Sequence, residues 1–296
     1  MKVNTYRFLV LSLIVWSFLL SSSINTSVRA DEKLKPEEIL AKHLDSIGSA
    51  EERALVKTRV ILGVSKYVRR GPGGGQTEGR AVLASENEKY MFGMKFAVPG
   101  YDVESIGFDG KDLTVGWAAP GVRSLLEILF RNNESTFKHG LLSGTLTSSW
   151  PLLNLTDEKA KLKYSGTKKI DGANLHQVKY QPRKGSDMEV SLYFDAETFR
   201  HVRTEYTRVN SANIGSGGVD SSAGQTERRY KLVETFGDFR KEGSLTLPHT
   251  YAMKLEITGG NSREVIDEWT LTLSDFVFNK PIDPKDFVVD TSVKSN

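Results

Sequence analysis

The 296-residue chain contains no cysteine. Disulfides, thiolate nucleophiles, cysteine-ligated zinc and a lipid-modified N-terminal cysteine are thereby excluded. Export is not, because a chain of this size can bury enough apolar surface without staples. Net charge is also scarce. Lys2, Arg7 and Arg29 account for the formal +3, since residues 1–30 hold no Asp or Glu, and the remainder is formally neutral. Nucleic-acid binding therefore lacks its main electrostatic support. The basic runs at 66–70 and 228–229 alternate with apolar residues and read as solvated strand faces. Catalytic signatures are missing too: there is no nucleophile elbow, no His-Glu-x-x-His, and no lysine-bearing phosphate loop.

The longest apolar run, 8–20, is about 13 residues, shorter than the roughly 20 a bilayer span requires. Lys2 and Arg7 precede it, serines 21–23 follow, and Val28-Arg29-Ala30 leads into Asp31. Charged, apolar and small-residue regions in that order form a secretory signal cleaved after Ala30. Export to the periplasm is the expected destination, with secretion or an uncleaved anchor as alternatives.

Residues 36–47 place Ile39, Leu40, Leu44 and Ile47 at helical spacing, with Pro36 at the start and Gly48 at the end. His43 shares that stripe as a packing residue. From residue 56 the pattern becomes alternation broken by turns. Hairpins are expected around Asp109-Gly110 and Asp171-Gly172. A second helical stripe joins Val122, Leu125, Leu126, Leu129 and Phe130. After an irregular apolar stretch at 132–156, strands resume, with clear alternation at 188–194, 251–257 and 265–273. The Gly/Ser-rich segment 210–225 reads as a hairpin loop between two strands that could pair, and no domain boundary is visible. The expectation is a mainly β protein: a large curved antiparallel sheet forming a half-open barrel with covering α-helices, in one domain at 31–296.

The five histidines, His43, His139, His176, His201 and His249, are dispersed, with no metal-ligand spacing. His201, Arg203 and Glu205 could share a strand face as a surface ion cluster. Sequons at Asn133 and Asn154 matter only in a glycosylating host. What remains is a surplus of large apolar side chains. Phe92, Met94, Val115 and Trp117 lie on early strands. Leu125, Leu126, Leu129 and Phe130 lie on the helix. Leu192, Phe194, Met253, Leu255, Trp269 and Leu271 lie on late strands. These residues either pack as ordinary core or line an apolar cavity for a lipid or acyl chain.

Three stretches resemble the bacterial outer-membrane lipoprotein carrier and lipoprotein-sorting (LolA-like) superfamily. Gln76-Thr77-Glu78-Gly79-Arg80-Ala81-Val82-Leu83 with Tyr90-Met91-Phe92 is similar to its first hairpin. Residues 105–113, containing Asp109-Gly110-Lys111, resemble its "DGK.LW" turn. Asn279-Lys280-Pro281-Ile282-Asp283 through Phe287 resembles its closing "N.PID...F" tail. The resemblance implies a half-open barrel whose helices lid an apolar cavity. It also implies a periplasmic carrier of lipid or of lipoprotein acyl chains, or an envelope-stress sensor that binds a protein partner. No enzyme activity, cofactor or nucleic-acid partner is expected. The mature protein should begin at Asp31 and be recovered without detergent; N-terminal sequencing that finds Met1 on a detergent-requiring product would overturn this.

Overall fold

The structure is a computed structural model that describes residues 34–71, 73–155, 160–182, 185–186, 188–210, 227–259 and 264–292. The leader and the bulk of the 210–225 loop lie outside the described residues.

Alternating side chains make one twelve-stranded sheet. Its strands are β1 (Thr58–Arg70), β2 (Gly75–Glu86), β3 (Lys89–Phe96), β4 (Val103–Phe108), β5 (Leu113–Val115), β6 (Lys161–Ile170), β7 (Ala173–Gln181), β8 (Glu189–Asp195), β9 (His201–Asn210), β10 (Arg228–Glu242), β11 (Leu245–Gly259) and β12 (Val265–Phe278). The expected turns have local causes. Asp109 Oδ1 accepts from the backbone N–H of both Lys111 and Asp112 at 2.8 Å, and Gly110 follows with φ +97°. Asp171 and Gly172 both have positive φ, as a tight primed hairpin turn requires.

The strand order is β5-β4-β3-β2-β1-β12-β11-β10-β9-β8-β7-β6, with every neighbouring pair antiparallel. Two meanders are thus joined where β12 returns to pair with β1. Strands β9 and β10 do pair, as the reading of 210–225 as a hairpin connection requires. Because β5 and β6 are the two edges and do not pair with each other, the sheet stays open and no closed barrel forms.

The connection from β5 to β6 must therefore travel from one edge to the other. It does so across the apolar face, as α3 (Leu125–Asn132), α4 (Glu134–Phe137) and short 3₁₀ turns at Gly144–Leu146 and Pro151–Asn154. This crossing segment buries Leu126, Leu129, Phe130, Phe137, Leu141, Leu142, Leu146, Trp150 and Leu152 in the same core as the strands. Helix α1 (Pro36–Ile47) adds Ile39 and His43 from its predicted stripe, and α2 (Ala50–Leu55) follows, capped by Ser49 and Glu52. Helix α3 begins later than the stripe predicts. Ser124 accepts from the N–H of Glu127 and Glu127 accepts from the N–H of Ser124, both at 3.0 Å, which sets the start. Val122 is left in a bridge to Ala119, 44% exposed.

A second correction concerns His201. The register shifts between Tyr193 and Phe194, and this irregularity turns His201 into the core. Arg203 stays outside with Glu205 at 2.8 Å and Lys231 alongside, so the ion cluster forms without the histidine. Asn133 is buried and donates to the Leu129 carbonyl, so the folded chain does not present it as a glycosylation site.

The tail is anchored at two points. Asn279 accepts from the Lys57 N–H at 2.8 Å and donates to the Leu55 carbonyl at 2.9 Å. The Pro284–Phe287 turn then seats a fully buried Phe287 on β3 and β4. Gly107 makes room for it, since a Cβ there would lie 2.3 Å from the Phe287 carbonyl oxygen. Gly107→Ala should cost about 1–3 kcal/mol in a denaturant-unfolding measurement. Gly237→Ala, where a Cβ meets nothing within 4 Å, should stay within about 0.5 kcal/mol; equal effects would show that the tail contact is not tight.

Candidate functional site

The sequence-predicted residues divide according to where the crossing segment runs. Phe92 and Met94 on β3, Val115 on β5, Leu192 and Phe194 on β8, Met253 and Leu255 on β11, and Trp269 and Leu271 on β12 are all buried on the covered face. Leu126, Leu129 and Phe130 meet them from α3. Leu125 is only half-buried. Trp117 is not inside: the Arg123 guanidinium lies 3.6 Å from its ring centroid, and its indole N–H donates to the Thr291 carbonyl at 2.8 Å.

The covered face meets solvent at a cleft of about 430 Å³ beside the start of α3. Tyr67, Val98, Tyr101, Val122, Leu125 and Val265 line it, with Arg69 and Arg123 at its rim. Tyr67 stacks on Tyr101 at 4.4 Å and on Trp269 at 5.4 Å, and the Trp269 N–H donates to the Tyr101 hydroxyl at 2.7 Å. Arg69 forks onto Asp267 with two bonds of 2.7 Å, and the Tyr67 hydroxyl adds a third at 3.0 Å.

Behind this aromatic wall the interior holds charge-bearing groups that pattern reading missed. Glu104 is buried on β4. Desolvation, reinforced by neighbouring Glu127, pushes its carboxyl up to about 8, against the opposing pull of the Ser124 and Tyr101 hydroxyls. Burial raises Glu127 to about 7. On β10, Glu234 accepts from Tyr206 at 2.6 Å, Tyr251 at 2.5 Å and the Ser143 N–H at 2.8 Å, yet complete burial still raises it to about 7. His43 accepts from the Trp150 indole at 3.2 Å and bonds the Phe199 carbonyl through Nδ1 at 3.2 Å. Burial lowers it to about 4, so the neutral tautomer with hydrogen on Nδ1 is held. His201, also driven down by burial, stacks on Trp150 at 4.7 Å.

Each missed strand residue takes an apolar slot in the alternation: Glu104 with Ile106 and Phe108, Glu234 with Leu232 and Phe236, Asp267 with Val265 and Trp269. That placement was the available signal. Several of these groups touch the crossing segment, as do Tyr90, which donates to the Phe137 carbonyl at 2.6 Å, and Arg59, which donates to the Thr145 carbonyl at 2.7 Å. The cover is thus positioned by buried polar bonds as well as by apolar packing. Among the described residues no group of three His, Asp or Glu side chains could hold a metal ion, and no helix is long and apolar enough to cross a membrane.

No protein-family model and no curated protein matches the chain. Solved structures do. A LolA superfamily protein, NE2245 from Nitrosomonas europaea, matches at 14% identity over 85% of this chain and 97% of its own, with a TM-score of 0.44. A DUF1329 family protein from Desulfovibrio piger matches at 10% identity over 85% and 96%, TM-score 0.43. A domain assigned to outer-membrane lipoprotein sorting from Vibrio parahaemolyticus matches at 11% identity over 84% and 97%, TM-score 0.41.

Glu104, Glu127 and Glu234 all bind protons more tightly folded than unfolded, where a carboxyl titrates near 4.5. Below about pH 6.5 the buried His43 and His201, held neutral by the fold, oppose this effect; between about pH 6.5 and 8 the carboxyls alone decide, the folded state holds more protons, and stability falls as pH rises. Thermal unfolding should show a higher midpoint at pH 6.5 than at pH 8. Glu104→Gln should flatten that slope and raise the midpoint at pH 8; an unchanged slope would show that Glu104 is not ionised by folding-linked titration in this window.

Proposed function

We propose that this chain is an exported, non-catalytic binder of a lipid or acylated ligand, whose apolar part enters beneath the crossing segment. The observation that carries this reading is the 430 Å³ cleft, which opens where Leu125 and Val122 face Tyr67 and Tyr101 at the margin of the covered face. Its volume falls in the range of small-molecule sites. Each methylene transferred from water to that face contributes about 0.8 kcal/mol. The interior is filled by the chain's own side chains, so loading requires the crossing segment to move. Its two helices of eight and four residues and its short 3₁₀ turns are suited to piecewise displacement. The leader at 1–30 supplies delivery to the periplasm, and the mature domain runs from Asp31.

The second reading is an interaction protein of the same fold that recognises an envelope protein partner and never takes up lipid. The filled interior favours it, because Phe137, Leu141, Leu142, Leu146 and Trp150 already occupy the space under the cover.

Uptake of a fluorescent acyl probe separates the two. Wild-type protein should bind it, and Leu125→Asp should weaken binding at least tenfold while moving the thermal midpoint by only a few degrees, since the side chain borders solvent. Leu129→Ala, in the core, should cost about 2–5 kcal/mol of stability. Wild-type protein that takes up no probe would overturn the lipid reading and leave the interaction protein.

A further inference from the structure

A different cleft, of about 350 Å³, lies between α2, the start of β1, the β2–β3 turn and the end of the crossing segment. Its polar lining comprises Arg53, Lys57, Arg59, Asn87, Ser148 and Asn154, and among the described residues no carboxylate lines it. Arg59 sits in the β1 alternation at a slot that pairs inward with Ile61, and it is only 2% exposed. Its Nη1 reaches the Thr145 carbonyl at 2.7 Å and the Thr147 carbonyl at 3.4 Å, whereas its buried Nε has no partner. Among the described residues no acid is paired with it. Burial alone lowers its pKa, to about 10.

A buried guanidinium without a counter-charge is expensive, and native proteins ordinarily pair it. The neighbouring cations do not relieve the imbalance. Arg53 spends Nη1 on the Leu44 and Gly48 carbonyls, which carry no formal charge. Lys57 is exposed, and among the described residues its ammonium forms no ion pair. Of the adjacent acids, Glu52 caps Ser49 and Glu86 pairs with Lys89 at 3.4 Å, while the exposed Glu51 interacts with Arg53 but does not line the cleft. Three cations thus converge with one hydroxyl and two amides around a space large enough for a tetrahedral oxyanion. Arginine forks and amide or hydroxyl donors are the groups that recognise phosphate.

We propose that this cleft is a binding site for a phosphate group, with Arg59 at its floor and Arg53 and Lys57 on its walls. The site is independent of the apolar cleft and stands whether or not lipid is bound there. The phosphate could be free, or it could be the headgroup of an anionic lipid whose chains remain outside the cleft.

The test is isothermal titration of the full mature protein with inorganic phosphate, with sodium chloride at matched ionic strength as control. A parallel titration uses dioctanoyl phosphatidate below its micellar concentration, with dioctanoyl phosphatidylcholine as its control. Phosphate should bind and should raise the thermal midpoint by several degrees at saturation, as ligands selective for the folded state do. Lys57→Glu, an exposed change that leaves the core intact, should weaken binding at least tenfold. Ser148→Ala should weaken it severalfold. Arg59→Lys keeps the charge but loses the fork; if it folds, binding should drop at least tenfold, and if it does not, Lys57→Glu still decides. Binding of both inorganic phosphate and phosphatidate supports a site for the phosphate group itself, and binding of phosphatidate alone supports a headgroup source. Neither inorganic phosphate nor phosphatidate binding more than its control, or an unchanged affinity in Lys57→Glu for whichever of them binds, would overturn the proposal.

Discussion

Most of this structure follows from one topological constraint. Strands β5 and β6 are consecutive in the chain yet occupy opposite edges of a twelve-stranded sheet. Their connection has to span the sheet, and the apolar face is where it can bury Leu126, Phe137, Leu142, Trp150 and Leu152 against the strands. A cover made this way is covalently tied at both ends but need not be a regular element in between. It can therefore follow the twist of the sheet with short helices and 3₁₀ turns, where a single long helix could not.

Polar groups give that cover its register. Apolar packing is non-directional and tolerates sliding, whereas the bonds from Ser143 to Glu234, Trp150 to His43 and Tyr90 to Phe137 fix distance and angle. Satisfied buried networks specify a unique arrangement, and the same groups become costly if the cover moves and leaves them unpaired. Carboxyls raised into the neutral range add a proton dependence to the contact between cover and sheet. The two ends of the molecule also differ in chemistry. One margin opens between stacked tyrosines and leucine, and another carries an unneutralised arginine beneath a lysine.

The short motifs that resembled a known superfamily turn out to perform structural tasks. Asp109 and Gly110 close the β4–β5 hairpin, Asn279 joins the end of β12 to the start of β1, and Phe287 fastens the tail over Gly107. Their residue types are dictated by backbone geometry: side-chain acceptors for turn amides, positive φ, and the absence of a Cβ. Such motifs identify a fold more readily than a ligand.

By itself the sequence determined the strands, the two amphipathic stripes, the main turns and the apolar row on several strands. These depend on periodicity and on local hydrogen bonds among residues a few positions apart. It also placed Phe92, Met94, Leu192, Met253 and Trp269 on one face, because alternation reports sidedness directly. Tertiary structure decided the rest. Whether those residues face a cavity or the chain's own Trp150 and Phe137 depends on the path of residues 116–155 across the sheet. Trp117 looked like a strand residue of the interior, but the strand ends at Val115 and the ring packs under Arg123 instead. Glu104, Glu234, Asp267 and Arg59 occupy apolar slots whose consequences appear only when their partners arrive from distant strands and loops. Sidedness is a local property of an alternating chain; burial, counter-charge and the shape of a cleft belong to residues far apart in sequence, and only folding brings them together.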